Sequence, residues 1–222
     1  MSCRIIELLG VRRMVVKCPY GWIGVLLSAE AALRAAQRRG GAVILHDGRF
    51  RADMLVKMAE NRGLQQLLDH IYVAEAPPLP PSLPVVIHGV EGVGLDAVYG
   101  LLDRVVLAVA EKIGRLPRIL RALSVRVSRM SENRYKLSWS QGICIVRASS
   151  EGLVEEEPRG LLGRALSILM QATVEFGPLS QRDAVDVLSH RLGMRRGEAR
   201  RLLVELARRG FISVEDGQVN VY

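Results

Sequence analysis

The stretch AVILHDGRFRADMLVKMAENRGLQQLLDHIYVAEA, Ala42 to Ala76, holds two short apolar runs separated by a helical pattern. Ala42–Leu45 is the first run, and His46-Asp47-Gly48 stops it as a turn does. Asp53 is placed as an N-cap for the following helix, with Leu55, Met58 and Ala59 on one face. Gly63 ends that helix, because glycine enters the left-handed conformation at low cost. Ile71–Ala74 is the second run. Strand, helix, strand predicts a parallel sheet covered by helices, an α/β fold.

The whole chain sets the bounds. Its 222 residues accommodate one large domain or two small ones, each with a real core. A hydrophobic content of 49% argues against disorder. No apolar run reaches the roughly eighteen residues of a membrane span, and Met1–Leu9 lacks the pattern of a signal peptide. A soluble, cytoplasmic protein without a membrane partner is expected. The net charge of +8 points to an anionic partner, nucleic acid first. Lys17, Lys57, Lys112 and Lys136 are the only lysines, so arginine carries the charge. Arginine suits phosphate forks, although a GC-rich genome produces the same bias. Cys3, Cys18 and Cys144 are odd in number and widely spaced, with no CxxC, so neither a zinc site nor a disulfide framework is predicted. His46, His70 and His88 have no metal-site spacing and read as loop or strand-end residues.

Gly48-Arg49-Phe50-Arg51, Ala59-Glu60-Asn61-Arg62-Gly63-Leu64 and Leu68-Asp69-His70-Ile71-Tyr72-Val73-Ala74 resemble the corresponding unit of archaeal RadA and other RecA-family recombinases. Upstream, Met14–Val16 reads as a strand, Cys18–Gly24 as a glycine-containing turn, and Val25–Gln37 as a helix ended by Gly40-Gly41. Strand, glycine loop, helix is the setting of a phosphate-binding loop. In the recombinases this place carries GxxxxGK[ST]. Here it holds Cys18-Pro19-Tyr20-Gly21-Trp22-Ile23-Gly24-Val25, with no lysine for the phosphates and no hydroxyl for Mg²⁺. The resemblance also puts Asp47 where the family has a water-activating glutamate. It puts His88, after Leu83–Ile87, where the family has an aspartate approaching Mg²⁺. Cys18, Gly21, Gly24, Val25, Asp47 and His88 therefore form a degenerate nucleotide site, expected to be without ATPase activity and without a cofactor. The alternative reading of the loop is a turn that packs its aromatic residues.

Ala76–Pro84, APPLPPSLP, reads as a stiff connection between strands. Leu95–Ile113 has apolar residues at helical spacing, closed by Gly114. Ser124–Ser128 and Tyr135–Trp139 alternate like strands around Ser131-Glu132-Asn133, a hairpin signal, and Gly142–Arg147 reads as a further strand. The segment between His88 and this hairpin is too short for the recombinases' usual strand plus both DNA-binding loops, so the expected sheet is a truncated RecA-like one. The same segment is basic. Lys112, Arg115, Arg118, Arg121, Arg126, Arg129, Arg134 and Lys136 face one acid, Glu132. Such a patch neutralises phosphates; equally, it suits a solvated helix end and edge strands.

Glu155-Glu156-Glu157 marks residues 151–159 as an acidic linker between a RecA-like domain at 1–150 and a small domain at 160–222. In the small domain Leu161–Phe176 is an amphipathic helix stopped by Gly177-Pro178, and Ser180 caps a second helix to about Leu192. A third follows Gly193 and runs to Arg209, burying Leu202, Leu203 and Leu206. Phe211–Val214 and Val219–Tyr222 form a hairpin through Asp216-Gly217. Three helices and a terminal hairpin predict a winged helix-turn-helix. Arg195, Arg196, Arg200, Arg201 and Arg208 on the third helix are its candidate DNA contacts, with Gln218 in the wing and Arg115, Arg118 and Arg121 in the first domain. The combined expectation is a non-catalytic RecA/RadA-like accessory protein that binds single-stranded or duplex DNA in recombination or repair. It would self-associate or join an active recombinase. The alternative is a winged-helix transcriptional regulator whose RecA-like half only oligomerises.

Overall fold

The computed structural model describes residues 5–112, 116–140 and 142–221. Two compact units emerge, one built from residues 3–141 with 146–155 and the other chiefly from 156–222. In chain order the elements before residue 156 are α1 (Ile5–Leu8), β1 (Met14–Lys17), α2 (Gly21–Arg39), β2 (Ala42–His46), α3 (Ala52–Asn61), a 3₁₀ turn (Gln65–His70), β3 (Ile71–Ala74), β4 (Val85–His88), α4 (Val90–Val93), α5 (Leu95–Tyr99), β5 (Val105–Ala110), α6 (Leu116–Leu120), β6 (Leu123–Ser131), β7 (Arg134–Trp139), β8 (Gly142–Ser149) and β9 (Gly152–Glu155). No described helix is long and apolar enough to cross a membrane.

The nine strands form one sheet in the order β3-β2-β4-β5-β1-β6-β7-β8-β9. β3, β2, β4, β5, β1 and β6 pair in parallel, and β6–β7 and β8–β9 pair antiparallel. The fold is mixed α/β with a large, mainly parallel sheet. β2, β4 and β5 are buried along their whole length, because helices lie on both faces. That is why they read as unbroken Val, Ile, Leu and Ala runs rather than alternations.

The same burial explains a correction. Residues 105–110, VVLAVA, form strand β5 and are not part of a helix from Leu95 to Ile113. Only Leu95–Tyr99 of that stretch is helical in the way its spacing predicts. An all-apolar run of this length satisfies helix and buried-strand patterns alike, and only the neighbouring strands β4 and β1 decide. Residues 152–155, which read as linker, form β9 against β8. Asp53 does not cap α3; the N-cap is Arg51, and Asp53 stands in the first turn, ion-paired with Arg51 at 2.7 Å. Cys18 is free and buried.

The second unit contains α7 (Gly160–Phe176), β10 (Leu179–Ser180), α8 (Gln181–Leu192), α9 (Arg196–Arg208), β11 (Ile212–Glu215) and β12 (Gln218–Val221). The strands make an antiparallel sheet in the order β10-β12-β11. Ala165, Leu169, Leu188, Leu203, Leu206, Ile212 and Val219 share its core, and Leu202 is only partly buried beside them. Ser180 caps α8, its hydroxyl oxygen accepting from the Asp183 N–H at 3.1 Å. Gly193, at φ 64°, closes that helix. Asp216 and Gly217, at φ 50° and 75°, make the tight turn between β11 and β12 that two positive φ values require. The Gly217 carbonyl accepts from the Gln181 N–H at 2.9 Å, fastening the turn to the start of α8.

One buried charge ties the first unit together. The Glu30 side chain in α2 is fully inaccessible and pairs with Arg34 at 2.6 Å and with Arg62 at 2.7 Å. Arg62 Nε donates to the Glu151 carbonyl at 3.1 Å, so α2, the end of α3 and the β8–β9 turn meet at one carboxylate. Gly152 is required there: its φ is 115°, and a Cβ would stand 2.3 Å from the Arg62 guanidinium. Removing one partner of a buried ion pair strands the other charge. Arg62→Met is therefore expected to destabilise the first unit by about 3 kcal/mol, whereas the exposed Arg51→Met leaves stability nearly unchanged. Denaturant unfolding of both variants checks this.

Candidate functional site

The C-terminal ends of β1, β4 and β5 open onto a cavity of about 290 Å³, lined among others by Cys18, Tyr20, Trp22, Arg49, His88 and Glu111. Crevices at the carboxyl ends of parallel strands are where α/β sheets bind ligands. Gly21, Gly24 and Val25 also line it, so five of the six residues assigned to a degenerate nucleotide site share one cavity. The sixth, Asp47, sits beside it. Its carboxylate packs against Gly89 and Gly92, where a Cβ would lie 2.2 Å and 2.4 Å from Asp47 atoms.

The local structure departs from a phosphate loop. Only Cys18, Pro19 and Tyr20 separate β1 from α2, and the helix starts at Gly21. The glycine-containing turn expected over Cys18–Gly24 is thus mostly helix. Gly24 lies in its first turns, closely packed. A Cβ there would meet Val109 Cγ1 at 3.3 Å, His88 Cε1 at 3.4 Å and Cys18 Sγ at 3.8 Å. The His88 ring fills the space beside the glycine. Its Nδ1 lies 3.0 Å from Ser28 Oγ, and Phe50 stacks edge-on against it with centroids 5.6 Å apart. Neighbouring His46 accepts the Gly48 N–H at 3.0 Å.

The electrostatics follow from these contacts. Burial pushes His88 down to about 4, with Asp47 opposing and Arg49 and His46 adding to the depression, so the ring is neutral at physiological pH. Burial pushes the Cys18 thiol up to about 11 against its bond to the Tyr20 carbonyl, which keeps it a protonated thiol and a poor nucleophile. Arg49 bridges the Asp47 carboxylate and Glu111 Oε1, each at 2.5 Å. Burial works to raise the Asp47 carboxyl, but the hydrogen bonds and charge of Arg49 hold it below its ordinary value. The guanidinium at the mouth is therefore already matched by two carboxylates, and Arg51 is matched by Asp53. The cavity is left with little free positive charge for a polyphosphate.

The candidate DNA contacts fall in several places. Arg195 is the N-cap of α9 and its N–H donates to Glu198 Oε2 at 3.0 Å, so the helix start already holds a carboxylate. Arg196 is paired with Asp186 of α8, and Arg208 with Glu205 at 2.8 Å. Arg200 and Arg201 are exposed one turn on. Gln218 begins β12, beside the turn, and is exposed. In the first unit Arg118 and Arg121 are exposed at α6, and Arg115 lies outside the described residues. Sequence reasoning misses the Arg49–Glu111 bridge. Glu111 follows β5, whose apolar run reads as helix, so its place beside Asp47 has no local signal.

His88 generates a pH prediction. Its pKa is depressed in the folded chain, so the unfolded chain takes up a proton first as pH falls. Stability is full above about pH 6.5 and is lost as pH falls toward 4, by on the order of 2–3 kcal/mol. His88→Gln, which keeps a polar partner for Ser28, is expected to flatten that part of a stability-against-pH curve measured by chemical unfolding.

No protein-family model and no curated protein matches this chain. Among solved structures, one described as the crystal structure of the RadB recombinase is similar at 13% identity and a TM-score of 0.49, over 66% of this chain and 91% of that one.

Proposed function

We propose that this chain is a non-catalytic RecA/RadA-type accessory protein that binds DNA in recombination or repair, with its main DNA surface in the second unit. The observation that carries the proposal is α9. Its buried side holds Ala199, Leu203 and Leu206, and its exposed side carries Arg195, Arg196, Arg200 and Arg201. α8 and α9 then act as the helix-turn-helix and β11–β12 as the wing of a winged-helix domain. Arg200 and Arg201 are the leading phosphate contacts, because Arg196 and Arg208 are held by acids of the same unit. The RecA/RadA side of the proposal rests on the resemblance of the segments between Gly48 and Ala74. In this reading the first unit is a body that docks a RecA-type chain, a second copy or an active recombinase, and does not turn over ATP. The missing lysine, the neutral His88 and the saturated Arg49 support that reading, since phosphoryl transfer depends on positioned positive charge and Mg²⁺.

Two experiments test the proposal. Arg195→Ala/Arg200→Ala/Arg201→Ala is expected to weaken binding on all DNA sequences alike. It should also lower the salt slope by about one unit for each phosphate the variant no longer neutralises. Fluorescence anisotropy across a salt series reads both, and unchanged affinity and slope in a folded variant would remove α9 as the DNA surface. A strong preference for a palindromic site would instead favour a transcriptional regulator. Purified protein is also expected to release no phosphate from ATP, with or without DNA, and to sediment as an assembly or together with an added recombinase. Turnover would contradict the first expectation, and a strict monomer that ignores the recombinase the second.

A further inference from the structure

Between α8 and α9 lies a cavity of about 440 Å³ lined by Gln181, Arg182, Asp186, Arg196 and Arg200 among others. Three arginines and a single carboxylate line it. Arg196 presents Nε and Nη2 to the two oxygens of Asp186, the fork by which arginine also grips a phosphate. That fork holds the Asp186 carboxyl below its ordinary value, with Arg196 and Arg182 adding their charge. Arg182 and Arg200 have no hydrogen-bonded or ion-paired partner among the described residues. The notch therefore carries two more positive charges than negative ones, and its single acid already sits on one of its cations. Arg182 and Gln181 belong to the first turn of α8, whose N-terminus is capped by Ser180 and also carries Asp183.

We infer that this notch is the seat of one backbone phosphate of bound nucleic acid, and that Asp186 stands in for that phosphate in the free protein. The inference rests on the proposed DNA-binding reading and extends it to Arg182, Gln181 and Asp186, which no motif or spacing in the chain singles out. A phosphate entering beside Arg182 and Arg200 repels Asp186, and Arg196 exchanges its carboxylate partner for a phosphate oxygen. Asp186 acts as a brake. It keeps Arg196 neutralised until a denser negative charge arrives, and it lowers affinity for all nucleic acid without touching a base. Exposed pairs of this kind contribute little to stability, so its removal leaves the fold intact.

The test uses the full chain and a fluorescent duplex of about thirty base pairs, together with the single strand of the same sequence. Asp186→Asn is expected to bind roughly three- to tenfold more tightly at low salt, since one like charge near a phosphate is removed. Its salt slope should be steeper by up to about 0.9 on duplex and 0.7 on single strand. Glu175→Gln makes the same charge change at Arg191, 16 residues away in sequence from that acid, and is expected to do much less. In an Arg196→Ala background the gain from Asp186→Asn should shrink, because the partner it releases is gone. Equal effects from Asp186→Asn and Glu175→Gln, or a gain undiminished without Arg196, would overturn the phosphate seat. If binding depends on Arg200 and Arg201 while Asp186→Asn changes neither affinity nor slope, only the seat falls. No binding by the wild type to either probe would overturn the DNA reading and the seat together.

Discussion

A strand paired on both edges and covered on both faces has room for polar side chains only at its ends. β2, β4 and β5 meet that condition, and β1 meets it up to Lys17. Their sequences obey it: VVIH and AVILH end on histidine, and the chain after VVLAVA continues with Glu111 and Lys112. Parallel pairing aligns these ends on one rim of the sheet. The register places His46 opposite His88 and His88 opposite Val109. Asp47, His88 and Glu111 are thereby gathered by the sheet itself, although dozens of residues separate them in the chain. The cavity exists because the core excludes these groups, whatever the site now does.

What fills that rim decides its chemistry. A phosphate-binding rim needs unpaired positive charge and backbone N–H groups facing a void. Here the void beside Gly24 is taken by the His88 ring, and burial keeps that ring neutral. Arg49, which lines the same cavity, is clamped by Asp47 and Glu111. The clamp and the packed imidazole link the ends of β2, β4 and β5. In the proposed non-catalytic reading this rim is a structural joint, and its disruption is expected to be felt in folding before it is felt in binding.

The sequence is informative wherever a local signal has one structural meaning. Glycine at 193, Ser180 at a helix start and Asp216-Gly217 between two apolar runs each have a single backbone solution, and each appears as expected. The alternation of β6 and β7 likewise survives, because their outer face is solvated while Val125, Val127, Tyr135 and Leu137 are buried. VVLAVA is not legible, since a doubly buried strand has no period to distinguish it from a helix. Neither is the start of α2: Gly21 and Gly24 suggest a loop from composition, whereas both are helical, and Gly24 packs closely against Val109 and His88, residues far away in the chain. The ion pairs of Arg49, Arg62 and Arg196 are invisible for the same reason. Charge counts in a sequence do not reveal which cations are already matched across the fold.

That last distinction governs the second unit. Net charge measures attraction to an anion at long range, but affinity at close range depends on the cations left unmatched. In α9 and at its end, Arg208 and Arg209 are engaged by Glu205 and Arg196 by Asp186, while Arg200 and Arg201 face solvent. The helix therefore has two classes of arginine on one surface. In the proposed DNA-binding reading the unmatched pair would give the first electrostatic capture. The matched ones would become available only when a phosphate displaces a carboxylate, which requires close and correctly placed approach. On that reading, matching part of the charge internally would lower indiscriminate binding while keeping the fork geometry ready, a physical route by which a strongly basic chain can resist coating every polyanion it meets.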